Sequence, residues 1–127
     1  MTAEKKYILN KEVAAKKMRR MAYEILENNL DEKEIVLAGI HESGSVVARN
    51  IEKILKEISS LKIETITVTL DKKKPEEISL SKTMDFTGKV IIVIDDVSNS
   101  GKTMLYALKP FIQYHPKKIQ TLVLVER

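Results

Sequence analysis

The sequence predicts an α/β fold in which helices flank a parallel sheet of about four to five strands. Segments with the pattern of buried strands alternate along the chain with amphipathic helical segments. Residues 90–94 are five consecutive β-branched residues, a run typical of a strand that is buried on both faces. Short polar stretches containing glycine follow two of the strand segments directly, as βα turns do.

The composition is that of an ordinary globular protein. The 127 residues predict one domain, 1–127, with 43% hydrophobic and 31% charged residues. The absence of cysteine excludes disulfides and zinc–cysteine sites. No apolar stretch approaches the roughly 20 residues of a membrane span and no signal-peptide core is present, so we expect a cytoplasmic protein. The formal net charge of +4 suits either a nucleic acid or a highly anionic substrate.

The first helix is predicted over residues 10–28, with Asn10 as its N-cap. Its apolar residues recur at helical spacing and should face the core. The basic residues lie mostly off this stripe: Lys16, Lys17, Arg19 and Arg20. They form a solvated face or, on a second interpretation, a surface that contacts phosphate or RNA.

Four strands are predicted, over residues 35–40, 63–70, 89–96 and 118–125. The second alternates polar and apolar residues, as a half-exposed or edge strand does. With right-handed crossovers we expect the order 2-1-3-4, which places the first and third strands side by side. Their carboxyl ends then flank the switch-point crevice in which open α/β sheets bind ligands.

Two parts of the chain are less regular. Residues 71–77 are a polar break, and little periodicity follows before Lys89. The lysines at 72–74 could reach substrate phosphates or could merely solvate a linker. A last helix is predicted from apolar residues at helical spacing between Met104 and Ile112, and Pro110 within it predicts a kink or a helix end.

The stretch from Lys89 to Met104 carries the strongest chemical signal. Asp95 and Asp96, the acid pair, end the buried strand, and a small hydroxylated loop at 98–103 precedes a helix. Gly101 lets the backbone approach a ligand closely, and the first amides of the helix favour an anion. The carboxylates are acceptors, suited to diol hydroxyls or to a cation. Acceptors at the start of this loop and anion donors at its end match a ribose 5-phosphate.

A P-loop is the nearest alternative, because Gly101, Lys102 and Thr103 could end the pattern G-x-x-x-x-G-K-[ST]. That pattern requires a glycine at position 96, where an aspartate stands. The loop also follows the third predicted strand and not the first. We therefore exclude a P-loop.

Residues 90–104 resemble the phosphoribosyl-pyrophosphate (PRPP) motif of type I phosphoribosyltransferases. That motif is an apolar strand, two acids, an apolar residue, two variable positions and Thr/Ser-Gly-x-Thr, with Ser100 here in the Thr/Ser place. The resemblance implies that the acid pair holds the ribose hydroxyls of PRPP, and that Mg²⁺ accompanies PRPP, with any contact made through these acids. The implied 5-phosphate contacts are Ser98, Asn99, Ser100, Gly101, Lys102 and Thr103. The implied catalytic residues are Asp95, Asp96 and Asn99.

The turn after the first strand is similar to the family's pyrophosphate loop. In the PyrR-like branch, which combines pyrimidine-operon regulation with uracil phosphoribosyltransferase activity, this loop reads roughly Gly-Ile-x-x-Arg-Gly. Gly39 and Gly44 match, but Ser43 stands where arginine is usual, which removes a cationic donor. His41 is interpreted as a residue whose backbone matters more than its ring, with a catalytic base as the alternative. The implied pyrophosphate loop is Ile40, His41, Glu42, Ser43 and Gly44.

The end of the chain bears on base recognition. Val125, Glu126 and Arg127 resemble the end of the last strand in PyrR-like proteins, which continue into a segment that helps to build the nucleobase pocket. We therefore expect a truncated base-recognition region. Asn99 replaces both the aspartate of hypoxanthine–guanine enzymes and the aromatic residue frequent in PyrR-like proteins, so the acceptor base stays unassigned.

Three functions are compatible with these residues. The first is transfer of ribose 5-phosphate from PRPP to a nitrogenous base with release of pyrophosphate. The second is regulatory sensing of PRPP or a nucleotide without turnover. The third, RNA-binding attenuation through the basic face of helix 10–28, has the least support, because no aromatic platform or known RNA motif is present. The implied partners are PRPP and a nucleobase or nucleotide; a homodimer is left open, and RNA and membranes are not expected.

Overall fold

The computed structural model describes residues 11–98 and 101–126. The helices in these ranges are α1 (Lys11–Asn28), α2 (His41–Ile58) and α3 (Lys102–Ile112). The strands are β1 (Glu34–Ile40), β2 (Lys62–Leu70), β3 (Ile78–Leu80), β4 (Val90–Ser98) and β5 (Lys118–Glu126). They form one sheet in the order β3-β2-β1-β4-β5, in which only the β2–β3 pair is antiparallel.

The four predicted strands lie in the predicted order, as β2-β1-β4-β5, and β1 and β4 are parallel neighbours. The sequence does not predict β3, because three residues at a sheet edge carry no measurable periodicity. β2 pairs with β3 only over residues 68–70. Most of β2 therefore has one open edge, in agreement with its alternating pattern.

Both faces of the sheet are covered, because the side chains of β1 and β4 alternate between two cores. Helices α1 and α2 cover one face, and Ile35, Ile92 and Ile94 belong to the core on that face. Helix α3 covers the other face through Phe111, whose ring meets that of Phe86 edge-on at 5.0 Å. Burial of each such large side chain is worth about 1.5–3 kcal/mol. The two cores hold both βα junctions at the carboxyl edge in place.

Two predicted boundaries at that edge need correction. Residues 41–44 were expected to form a turn, but they are the first turn of α2, which begins directly after β1. β4 was expected to end at residue 96, but it continues to Ser98 because it pairs with β5 as far as Glu126. Ser98 is thus the last strand residue and not part of the loop that follows.

Helix α3 contains Pro110 and continues to Ile112, so the proline does not end it. The buried ring of Phe111 holds this last turn against the sheet. The expected cap Asn10 lies outside the described residues. None of the helices in the described part of the chain has the length and apolar character needed to cross a membrane.

Candidate functional site

The carboxyl ends of β1 and β4 bring the acid pair and the pyrophosphate loop together. The pairing of β1 with β4 ends at Gly39 and Ile94, so Ile40 and Asp95 lie side by side just beyond it. A Cβ atom added to Gly44 would lie 2.7 Å from the carbonyl oxygen of Ile94 and 3.6 Å from the Cα of Asp95. The first turn of α2 therefore rests on β4 directly beside the acid pair.

A buried hydroxyl contact that the sequence does not predict holds this turn in place. Ser45 is fully buried, and its Oγ lies 2.6 Å from Oγ1 of Thr67 on β2. The Ser45 hydroxyl is also 3.4 Å from the carbonyl oxygen of Gly39. The helical spacing could have indicated that Ser45 is buried, because it lies on the same face of α2 as the buried residues Val47, Ala48, Ile51 and Leu55.

The first turn of α2 presents backbone amides that no side chain caps. Its N-cap, Ile40, is extended, with φ −80° and ψ 120°, and makes no side-chain cap hydrogen bond. His41 has φ 57°, in the left-handed region that is costly for a residue with a Cβ. Such strain is concentrated at ligand sites, which supports the interpretation of His41 as a backbone residue. Free amides and the helix dipole make this turn suitable for an anion.

The N-terminus of α3 resembles that of α2. Its N-cap is Gly101, with φ 77°, a conformation that glycine adopts without strain. No side-chain cap hydrogen bond is formed there either. Lys102 and Thr103 are exposed in the first turn. The implied contacts Asn99 and Ser100 lie outside the described residues.

The acid pair stands at the end of β4 beside these two helix ends. Asp95 is only 6% exposed, while Asp96 is half-buried. The backbone N–H of Asp96 donates to Oδ1 of Asp95 at 2.9 Å. The pKa of Asp95 is raised to about 6, mainly by burial and further by the side-chain hydrogen bond and the negative charge of Asp96. An ionised Asp95 is therefore costly until a cation or a hydroxyl donor reaches it.

These oxygen donors suit Mg²⁺, which prefers carboxylates and retains much of its water. Among the described residues no group of three or more histidine, cysteine, aspartate or glutamate side chains could hold a metal ion. The acid pair alone would fill only part of a Mg²⁺ coordination shell. The remaining ligands would have to come from water or from a phosphorylated substrate.

The raised pKa of Asp95 predicts how stability depends on pH. An aspartate in the unfolded chain titrates near 4, so between about pH 4 and pH 6 the folded protein holds a proton that the unfolded chain loses. This contribution is fully present below about pH 4 and is lost as the pH rises through about 6. Asp95→Asn should raise the free energy of unfolding at about pH 7.5 by about 1–3 kcal/mol and change it little at about pH 4. Urea denaturation at both pH values measures this, and an equal effect at both would contradict it.

Two further surface features lie near the carboxyl edge. Arg49 of α2 reaches back to Glu42 in the pyrophosphate loop, with Nη2 2.8 Å from Oε1.

The backbone amides of Lys73 and Lys74 donate to Oδ1 of Asp71 at 2.8 and 3.0 Å, so Asp71 organises the turn after β2. These amides lower the pKa of Asp71. The lysine side chains of this turn are exposed.

Comparison with known proteins agrees with this arrangement. Residues 5–127 match the phosphoribosyl transferase domain. The chain is 30% identical over 137 residues to the bifunctional protein PyrR of Fusobacterium nucleatum. This match covers all of this chain and 77% of that protein. It is 31% identical over 130 residues to PyrR of Staphylococcus carnosus, covering 94% of this chain and 74% of that protein. The expected similarity to the PyrR-like branch is confirmed.

Solved structures share the fold. A hypoxanthine-guanine phosphoribosyltransferase of Bacillus anthracis superposes with a TM-score of 0.78 at 19% identity, over 95% of this chain and 70% of that one. The hypoxanthine phosphoribosyltransferase of Trypanosoma cruzi superposes with a TM-score of 0.81 at 12% identity, over 94% and 70%. The domain match, the PyrR relatives and this shared α/β architecture lead to one conclusion: the chain belongs to the phosphoribosyl transferase domain family.

Proposed function

We propose that residues 1–127 form one phosphoribosyltransferase domain that moves ribose 5-phosphate from PRPP to a nitrogenous base and releases pyrophosphate. One arrangement carries the proposal. Two helix N-termini without side-chain caps open at the carboxyl edge of the sheet. The acid pair lies next to the first and leads into the loop of the second. PRPP has a matching layout, since phosphate groups at two positions of one ribose ring flank its hydroxyls.

Each part of PRPP then has a binding element. The 5-phosphate binds at the start of α3, where Gly101 allows a close backbone approach and Lys102 and Thr103 add donors. The pyrophosphate group binds at the first turn of α2, residues 40–44. The acid pair accepts hydrogen bonds from the ribose hydroxyls. Mg²⁺ would enter with PRPP and supply charge neutralisation of the pyrophosphate.

The chemistry requires positioning and charge stabilisation more than a covalent nucleophile. A ring nitrogen of the base forms the new bond to the anomeric carbon, the bond from that carbon to the pyrophosphate oxygen breaks, and the N–H proton of the base passes to solvent water. Positive charge develops on the ribose in the transition state. The carboxylates of Asp95 and Asp96 would stabilise that charge, and the amides of α2 would stabilise the departing pyrophosphate. Asn99 remains a proposed catalytic residue and a proposed contact to the 5-phosphate, as the resemblance implies.

Regulatory sensing of PRPP without turnover is the alternative. It is favoured by Ser43, which lacks the cation that the family places in the pyrophosphate loop. Both readings require PRPP to bind in the same crevice. They differ only in whether a base completes the reaction.

RNA binding is a second candidate function, supported by the PyrR relatives and by one surface of α1. The guanidinium of Arg19 lies over the ring of Tyr23, 5.9 Å from its centroid, and this ring is 42% exposed. Lys16 and Arg20 line the same surface cleft, together with the acidic residues Glu24 and Glu27. A basic face with one exposed aromatic ring can hold a single-stranded nucleic acid by charge and stacking.

The test combines binding with turnover. Calorimetry should detect binding of PRPP with Mg²⁺ to the wild-type chain. Pyrophosphate release from PRPP should then be measured with uracil, hypoxanthine, guanine, adenine, xanthine and orotate. Base-dependent release with at least one base is the expected result. PRPP binding without release from any base would favour the regulatory alternative, and no PRPP binding would overturn the proposal.

A further inference from the structure

The contact between Arg49 and Glu42 places a cation beside the pyrophosphate loop. These residues are seven apart and lie on one face of α2, separated by two helical turns. Side chains on a helix lean toward its N-terminus, and arginine is long enough to span the remaining distance. The guanidinium therefore lies next to the first turn of α2, although Arg49 itself belongs to the third turn.

This position matters because Ser43 leaves the loop without the arginine found in the PyrR-like pattern. The anion site of α2 would then depend on backbone amides alone. Glu42 adds a negative charge there, and its carboxylate is already paired with Arg49 at 2.8 Å. The guanidinium is thus held by a carboxylate at the place where a phosphate group would arrive.

The pair is free to exchange partners. The side chains of Arg49 and Glu42 are 49% and 78% exposed, and exposed ion pairs contribute little to stability. A pyrophosphate group offers a guanidinium more charge and a better bidentate geometry than one carboxylate does. Exchanging Glu42 for pyrophosphate would therefore cost little and gain a stronger contact.

We propose that Arg49 is a specificity-determining residue that leaves Glu42 and contacts the pyrophosphate group of the bound ligand. Arg49 then supplies from the third turn of α2 the cation that position 43 lacks. It favours ligands with a pyrophosphate group over sugar monophosphates, which have no group for the anion site at α2. This inference rests on the proposed function, because it assigns Arg49 to the pyrophosphate end of the same crevice.

The alternative is that Arg49 acts only by neutralising Glu42. The substitution Glu42→Gln separates the two cases, because it removes the charge that Arg49 would neutralise. If Arg49 contacts pyrophosphate directly, Arg49→Met weakens pyrophosphate binding in both the wild-type and the Glu42→Gln backgrounds. If Arg49 only neutralises Glu42, the loss disappears in the Glu42→Gln background.

Calorimetry with inorganic pyrophosphate, PRPP and ribose 5-phosphate, each with Mg²⁺, tests the proposal. Arg49→Met should weaken binding of pyrophosphate and PRPP about fivefold to tenfold and change that of ribose 5-phosphate less than about twofold. Arg49→Lys should retain part of the difference, since lysine keeps the charge but loses the bidentate geometry. Thermal unfolding of each variant confirms that the fold is intact.

Lys56→Met is the matched control. Lys56 lies on the same face of α2, seven residues beyond Arg49, and is paired with Glu52 at 3.0 Å. Like Arg49→Met, the substitution Lys56→Met removes one positive charge from α2, but at a position far from the pyrophosphate loop. It should change the binding of all three ligands less than about twofold.

Three results would overturn the inference while leaving the proposed function in place, provided that the wild type binds PRPP. They are unchanged pyrophosphate binding in Arg49→Met, equal losses for pyrophosphate and ribose 5-phosphate, and a loss that vanishes in the Glu42→Gln background. A wild-type chain that binds neither PRPP nor ribose 5-phosphate would overturn both proposals.

Discussion

The double substitution Asp95→Asn with Asp96→Asn is expected to weaken binding of PRPP and ribose 5-phosphate at least about tenfold, or about 1.4 kcal/mol. Hydrogen bonds to a charged acceptor are stronger than those to a neutral amide, and both aspartates lie among the last four residues of β4, at its carboxyl end. Asparagine keeps the shape of each side chain and the oxygen that accepts from the backbone N–H of residue 96. Calorimetry with both ligands in the presence of Mg²⁺ measures the loss.

The matched control is Glu27→Gln with Glu57→Gln, which makes the same change in net charge. Both glutamates are exposed near the C-terminal ends of α1 and α2, at the opposite edge of the sheet. This control should leave binding within about twofold of wild type, because charges beyond a Debye length are largely screened. Since Asp95→Asn should itself stabilise the fold at neutral pH, unfolding cannot account for the loss in the aspartate variant. Unchanged affinity in a folded double variant would contradict the assignment of the acid pair to the ribose.

Alanine at Gly39 is expected to lower the free energy of unfolding by about 3 kcal/mol, at the upper end of what overpacking costs. The added Cβ would lie 2.5 Å from both the N and the Cα of Ser45 and 2.7 Å from the carbonyl carbon of Gly44. All three are backbone atoms, so no side chain can rotate to relieve the clash. The first turn of α2 would have to move away from β1, which would also stretch the contact between Ser45 and Thr67. Urea denaturation measures the stability change, with the transition midpoint as its main readout.

Gly88→Ala is the control for this prediction. Gly88 has φ 74°, but a Cβ there would meet no atom within 4 Å. Alanine at this position should cost only the strain of a left-handed residue, about 1–2 kcal/mol. Gly39→Ala should therefore be clearly the more destabilising of the two, and PRPP binding should fall in Gly39→Ala but not in Gly88→Ala. Equal stability losses would mean that α2 shifts without resistance, and the first turn would then not be the rigid anion site that the proposed function needs.

The local pattern of the sequence determined the main architecture. A run of β-branched residues at 90–94 indicates a strand with two buried faces, and the alternating pattern of 63–70 indicates a half-exposed or edge strand. Both properties depend on how many sides of a segment meet the core, which periodicity reports directly. Right-handed crossovers then leave few strand orders, and the predicted order of the four long strands is the observed one. The acid pair and the loop after it were visible because the residues that define them are contiguous.

The tertiary structure decided what depends on contacts between distant segments. Ser45 and Thr67 are 22 residues apart, and their contact exists only because β1 and β2 pair in one register and α2 lies against Gly39. The start of α2 at His41 likewise requires a left-handed residue, which neither propensity nor periodicity predicts.

The same reason explains the electrostatics of the site. The raised pKa of Asp95 comes from burial at the end of β4, and the reach of Arg49 to Glu42 comes from the helix that continues through residues 41–44. Patterns along the chain show which side of a segment is buried. They do not contain the distances between segments, and those distances determine where charges, hydroxyls and free amides meet.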